Sequence, residues 1–137
     1  MAKSRGRLTL ADYQVLAEFR FLLRRFMLFS EEAAREAGLA PQQHQALLAI
    51  KGFVGAPTIG DLAERLAVKH NSAVGLVDRL VKAGHLKRRQ DENDRRRVTL
   101  ALTASGEKLL ADLSSAHRDE LRILTPSLKA LFARLDR

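Results

Sequence analysis

Residues Val74–Thr103 read VGLVDRLVKAGHLKRRQDENDRRRVTLALT, and two periodicities meet inside this stretch. With Ala73 just ahead of it, Leu76, Val77 and Leu80 fall at i, i+3, i+4 and i+7, which predicts a helix with one apolar face. Ser72, Gly75, Arg79 and Lys82 recur on the other face, with His70 and Asn71 just before them. Small polar groups therefore lead and cations follow. Gly84 predicts the helix stop, and His85–Arg89 can extend as a strand. Asp91, Glu92, Asn93 and Asp94 make a polar turn. Beyond it, Val98, Leu100 and Leu102 alternate with Arg97, Thr99 and Ala101 in the pattern of a half-buried strand. The expectation is a helix followed by a β-hairpin with a charged tip.

From His85 to Arg97 there are six cations (Lys87, Arg88, Arg89, Arg95, Arg96, Arg97) and three anions (Asp91, Glu92, Asp94), an excess of +3. In isolation such a run reads as a solvated hairpin. The preceding segment changes that reading. Thr58 can cap a short helix whose apolar face is Ile59, Leu62, Ala63 and Leu66, and Ala67–His70 is a turn of helix-turn-helix length. Helix, turn, helix and hairpin together predict a winged helix-turn-helix, a shape that lays its second helix in the major groove of a duplex.

The segments PTIGDLAERL at Pro57–Leu66, SAVGLVDRLVKAGHLKR at Ser72–Arg88 and DRRRVTLALTASG at Asp94–Gly106 resemble the MarR family of transcriptional regulators. The most specific element is Asp94 and Arg96 as Asp-x-Arg, followed by Leu102-Thr103 and Gly106. The resemblance implies that Arg96 enters the minor groove from the wing tip beside Arg95, that Asp94 orients it, and that the helix around His70–Arg79 lies in the major groove. A guanidinium suits a narrow A·T-rich minor groove because the negative potential there is enhanced.

This chain departs from common family patterns at Val74 and Gly75, where many members carry Thr and a polar or basic residue. Lys69 stands where an acidic cap is frequent. Base readout is therefore expected from His70, Asn71 and Ser72, with Gly75 allowing close backbone approach and contact with a thymine methyl. Asn71 as the helix cap is an equally open reading. Arg79 and Lys82 are expected at phosphates, with an acidic neighbour as the other partner open to Arg79.

The 137 residues, 46% hydrophobic and without cysteine, predict one domain-sized unit with a core and exclude disulfides, thiolate metal sites and thiol sensing. A net charge of +8 favours a polyanionic partner. The apolar run Phe19–Phe29 is short and interrupted by Arg20, Arg24 and Arg25, and no signal-peptide pattern opens the chain, so a cytoplasmic protein away from membranes is expected. The catalytic motifs G-x-S-x-G, a phosphate-cradling glycine loop and a zinc-protease helix are missing, which predicts no enzyme and no cofactor. His44, His70, His85 and His117 have no metal-ligand spacing, so no metal site is expected.

The chain is read as mainly α with a small β wing, a single domain over residues 1–137. Residues of about 39–102 would bind DNA, and about 8–38 and 103–137 would form a helical dimerisation body. Met1–Arg7 is a short basic arm, read as a frayed terminus. Leu10–Ala37 predicts one long helix ended by Gly38, with Leu16, Phe19, Leu22, Leu23, Phe26 and Met27 on a broad apolar face and Phe21 and Phe29 outside it. That surplus predicts a partner surface, most simply a second copy.

Pro41 opens the next helix, through His44 to Ile50. After the hairpin, Thr103 caps a helix with the stripe Leu110, Leu113, His117, Leu121 and Leu124, which Pro126 ends or kinks. A short amphipathic segment with Leu128, Leu131, Phe132 and Leu135 follows it.

Two such subunits would read a palindromic operator. The resemblance also implies release by a small aromatic ligand, with Tyr13, Phe26, His44 and His117 as candidate cleft residues. Core or hinge packing is the plainer account of each. Three function classes are compatible with the sequence: a ligand-responsive repressor, a non-specific basic architectural or RNA-binding module, and a peripheral membrane or protein-interaction adaptor. Sensitivity to duplex sequence and to Arg96 separates them.

Overall fold

The computed structural model describes residues 6–136; the first five residues of the expected basic arm lie outside them. The element order is α1 (Leu10–Glu36), α2 (Pro41–Lys51), α3 (Ile59–Leu66), α4 (His70–Lys82), β1 (Leu86–Gln90), β2 (Val98–Leu102) and α5 (Ala104–Leu135). This is a mainly helical winged helix, and its packing forms two compact units.

One unit is residues 31–115. Its core joins Ala34 and Leu39 with Ala46, Leu47 and Ile50 of α2, Leu62 of α3, Val77 and Leu80 of α4, Leu86, Leu100 and Leu102 of the hairpin, and Leu110 and Leu113 of α5. The last turn of α1 and the first turns of α5 thus belong to the core of the winged helix, because their apolar residues are buried in it. Each fully buried Leu or Val removes enough apolar surface from water to contribute about 1.5–3 kcal/mol.

The ends of α1, α3 and α4 share one geometry. The Leu39 N–H reaches the Ala34 carbonyl, Val68 that of Ala63, and His85 that of Leu80, each at 2.9–3.0 Å. The residues just before them, Gly38, Ala67 and Gly84, have φ of +82°, +54° and +84°. Each helix therefore closes in a Schellman turn, whose left-handed residue is glycine twice and alanine once. At the start of α3, the Thr58 hydroxyl accepts the Asp61 N–H at 3.2 Å, and the Asp61 carboxylate accepts the Thr58 N–H at 2.9 Å. On α2, Gln43 returns its side-chain oxygen to the Ala40 N–H at 2.8 Å.

The hairpin is antiparallel, with Leu86 opposite Leu102, Arg88 opposite Leu100 and Gln90 opposite Val98. It begins one residue later than expected, at Leu86, although the His85 carbonyl still accepts the Thr103 N–H where the chain bends. Its inward alternation also fails at the outer end: Val98 is 43% exposed and Thr99 is buried. Val98 stands at the far pair of the ladder beyond the core, whereas the Thr99 hydroxyl turns to the Arg89 carbonyl at 3.4 Å.

The other unit comprises residues 6–30 of α1 and its lead-in and 116–136 of α5. Of the two outcomes expected at Pro126, an end does not occur: the proline lies inside α5, which continues to Leu135. An interior proline costs a helix about 3 kcal/mol. Burial of Leu124 and Leu131 on either side of it offsets that loss, and the Thr125 hydroxyl donates to the Leu121 carbonyl at 2.8 Å. Val15 and Leu22 of α1 are buried in this unit, while Leu16, Phe21, Leu23, Met27 and Leu28 remain exposed. No helix among the described residues is long and apolar enough to cross a membrane.

Candidate nucleic-acid interface

Helix α4 buries Ala73, Leu76, Val77 and Leu80 and leaves His70, Asn71, Ser72, Arg79 and Lys82 exposed, with Val74 and Gly75 half-covered. The residue preceding the helix is Lys69, whose side chain makes no capping bond. Asn71 is thus the second helical residue and not the cap, and its amide stands on the exposed first turn beside His70 and Ser72. The first-turn N–H groups, which no side chain caps, make the helix start a natural neighbour for anionic groups.

The wing tip is built by its own acids. The Asp94 carboxylate accepts the Arg96 N–H at 3.0 Å, and the Asp94 carbonyl accepts the Arg97 N–H at 2.9 Å, a turn that a short side-chain acceptor closes. Asp94 therefore orients Arg96 through its backbone and leaves the guanidinium unpaired. Gln90 donates its amide to the Arg95 carbonyl at 2.8 Å, and the Asp91 carboxylate accepts the Asn93 N–H at 2.9 Å.

Arg97 turns the other way. It lies 3.8 Å from the Asp91 carboxylate and 3.5 Å from the Ala56 carbonyl. Of the three consecutive arginines, Arg95 and Arg96 make no ion pair among the described residues.

Arg88 on β1 donates to Asp78 on α4, which ties the wing to that helix and removes one cation from the set counted in the sequence. Neither this pair nor the Asp91–Arg97 pair carries a spacing signal, since each depends on how the hairpin folds back. At the root of the hairpin, Thr103 accepts the Gly106 N–H at 3.1 Å and donates to the Gly84 carbonyl at 2.6 Å, while His85 and Ser105 share a hydrogen bond of 3.0 Å. One joint thus locks the end of α4, the wing root and the start of α5. Asp61, in the α3 capping box, is held below its ordinary pKa, chiefly by the Thr58 N–H against the opposing desolvation, with help from the Thr58 hydroxyl and the Arg97 charge.

The candidate ligand residues do not form one cluster. Tyr13 is exposed on α1, thirteen residues or about 20 Å of helix from Phe26. Phe26 meets the His117 ring edge-on at 5.9 Å, and Phe29 joins it at 5.3 Å. The ring Nε2 of His117 is 2.8 Å from the Ser30 hydroxyl. In the same unit Phe19, Leu22, Leu23, Phe26, Leu121, Leu124, Leu128 and Phe132 line an apolar cavity of about 130 Å³. His44 is buried on α2 in the 31–115 unit.

The MarR family model matches residues 37–97, which run from the end of α1 to the wing tip. An HTH-type transcriptional regulator of Bacillus subtilis, YcgE, is 38% identical over 95 residues, 69% of this chain and 61% of YcgE. The chain thus spans about three fifths of that relative's length.

Two solved structures share the fold. A MepR mutant of S. aureus bound to an oligodeoxyribonucleotide has a TM-score of 0.68 at 20% identity and covers 95% of both chains. NadR in complex with 4-hydroxyphenylacetate has a TM-score of 0.64 at 26% identity, covering 98% of this chain and 97% of its own. Asp94, Arg96, Thr103 and Gly106, which carry the motif in sequence, are the residues that build the wing tip and its root, and over residues 37–97, from the end of α1 to the wing tip, the chain is similar to the MarR family.

Proposed function

We propose that this protein is a sequence-specific DNA-binding transcriptional regulator that acts as a homodimer, represses from a palindromic operator and is released by a small aromatic ligand. The observation that carries this reading is the pairing of an exposed polar helix start, His70–Ser72, with a wing tip whose acid fixes the Arg96 backbone and leaves its guanidinium unpaired. In that arrangement α4 reads base edges in the major groove, Arg96 enters the minor groove, and Arg95, Lys69 and Lys82 meet phosphates. The oligodeoxyribonucleotide bound to the MepR neighbour supports the partner class, and 4-hydroxyphenylacetate bound to NadR supports the ligand class.

The dimer rests on the apolar surplus of residues 6–30 and 116–136, where Leu16, Phe21, Leu23, Ile123 and Phe132 stay exposed. A second copy would bury them. Phe26, Phe29, His117 and Ser30 are the group we assign to an aromatic acid, because two phenyl rings set edge-on to an imidazole, with a hydroxyl beside it, suit a ring with an anionic tail.

Selection of bound duplexes from a random pool tests the reading. A palindromic consensus retrieved by the wild type, and lost affinity for it in Arg96→Ala, are expected. Equal retention of all sequences would replace it with the non-specific basic module.

A further inference from the structure

On α4 the Arg79 side chain folds back by one turn. Its two terminal nitrogens lie 3.6 Å, and its Cζ 3.9 Å, from the point where a Cβ would stand on Gly75. The guanidinium therefore stands over residue 75, where a side-chain Cβ would touch it and where glycine leaves the space in front of it open. Asp78, the adjacent carboxylate, is engaged by Arg88, and Arg79 makes no ion pair among the described residues. Since Ala73, Leu76, Val77 and Leu80 bury the opposite face, this seat lies on the outward side of the helix. It is level with Gly75, about 6 Å nearer the helix start than the Arg79 Cα.

That displacement bears on chemistry. The early turns of a recognition helix are the ones that meet base edges, and a planar guanidinium can give two parallel hydrogen bonds to O6 and N7 of guanine. A phosphate anchor needs only charge and reach, which a mobile side chain supplies. A guanidinium already seated loses less freedom when it makes a bidentate contact.

We infer that Arg79, seated on Gly75, is a base-reading residue that selects a guanine in the major groove, in place of the phosphate contact expected for it from the sequence. The inference rests on the DNA-binding reading above. Gly75 is the positioning residue, because a long side chain there would occupy the seat.

The test uses the full chain. Wild type, Arg79→Ala, Arg79→Lys and Gly75→Gln are each used to select duplexes from a random pool, with melting followed by circular dichroism as the check on folding. The wild type is expected to retrieve a G·C pair in each half-site. Both Arg79 variants should retain the rest of the consensus and lose preference at that pair, from about tenfold or more to near even. Gly75→Gln should alter preference at the same pair although Arg79 is intact. A consensus unchanged in Arg79→Ala, with all duplexes weakened alike, overturns the inference and leaves the DNA reading standing. Absence of any wild-type consensus overturns both. If Arg79→Ala fails to fold, Arg79→Lys and Gly75→Gln decide.

Discussion

A Cβ placed on Gly106 would clash with the carbonyl oxygen of His85 and stand 3.0 Å from its carbonyl carbon, so α5 and the wing root approach too closely there for a side chain. The same His85 carbonyl accepts the Thr103 N–H at 3.2 Å, which prevents it from turning aside at no cost. Gly106→Ala is therefore expected to destabilise the protein by about 1–3 kcal/mol, as overpacking does. Urea unfolding measures it. An alanine variant as stable as the wild type would show that the joint can open freely.

Ala67 offers the opposite case. It sits at φ +54° in the turn between α3 and α4, where a side chain costs about 1–2 kcal/mol and glycine does not. Ala67→Gly should raise the unfolding free energy by about 1 kcal/mol after the greater entropy of the unfolded glycine is counted, with α4 unchanged in position. A fall in the denaturation midpoint would contradict this.

The wing predicts a graded series. Asp94 acts by accepting the Arg96 N–H, a role an amide oxygen can fill. Asp94→Asn should keep duplex binding near wild type, whereas Asp94→Ala and Arg96→Ala should each weaken it by about 1–3 kcal/mol in fluorescence anisotropy. Asn and Ala variants that weaken binding equally would point to the charge of Asp94 and not to its hydrogen bond.

Arg88 donates to Asp78 across the wing, and on the proposed DNA-binding reading this pair holds back a cation that could reach phosphate. Asp78→Ala should free Arg88, tighten binding to arbitrary duplexes and steepen the salt dependence by about 0.9 in log Kd against log salt. An unchanged slope would mean that Arg88 stays folded away from DNA without its partner.

The capping box of α3 adds a pH dependence. The Asp61 carboxyl is held below its ordinary value of 3.8 in the folded state, so the unfolded chain binds the proton more readily. Stability from this group is then present above the unfolded value and is lost as pH falls through the lower folded one. Asp61→Asn should flatten the acid limb of stability below about pH 4. Thr58→Ala, which removes the cap itself, should cost about 1 kcal/mol at neutral pH. A steeper acid limb in Asp61→Asn would reverse the assigned sign.

The linear order of residues by itself determined the helices, their apolar faces and most of their ends, because a helix is made by neighbours three and four positions apart and closed by residues beside it. Ala73, Leu76, Val77 and Leu80 are buried as their spacing requires, and Gly38 and Gly84 adopt the left-handed conformation that their places after α1 and α4 call for. The motif residues Asp94, Arg96, Thr103 and Gly106 were likewise legible in the chain.

Tertiary packing alone decided what depends on residues brought together from afar. It carried α5 through Pro126 because buried leucines flank the proline, and exposed Val98 because the far end of the hairpin extends beyond the core. It also paired Asp78 with Arg88 and Asp91 with Arg97, and left Arg95 and Arg96 at the wing tip without an ion pair among the described residues. Spacing registers local geometry; it cannot register which charge another charge will meet once the chain has folded back on itself.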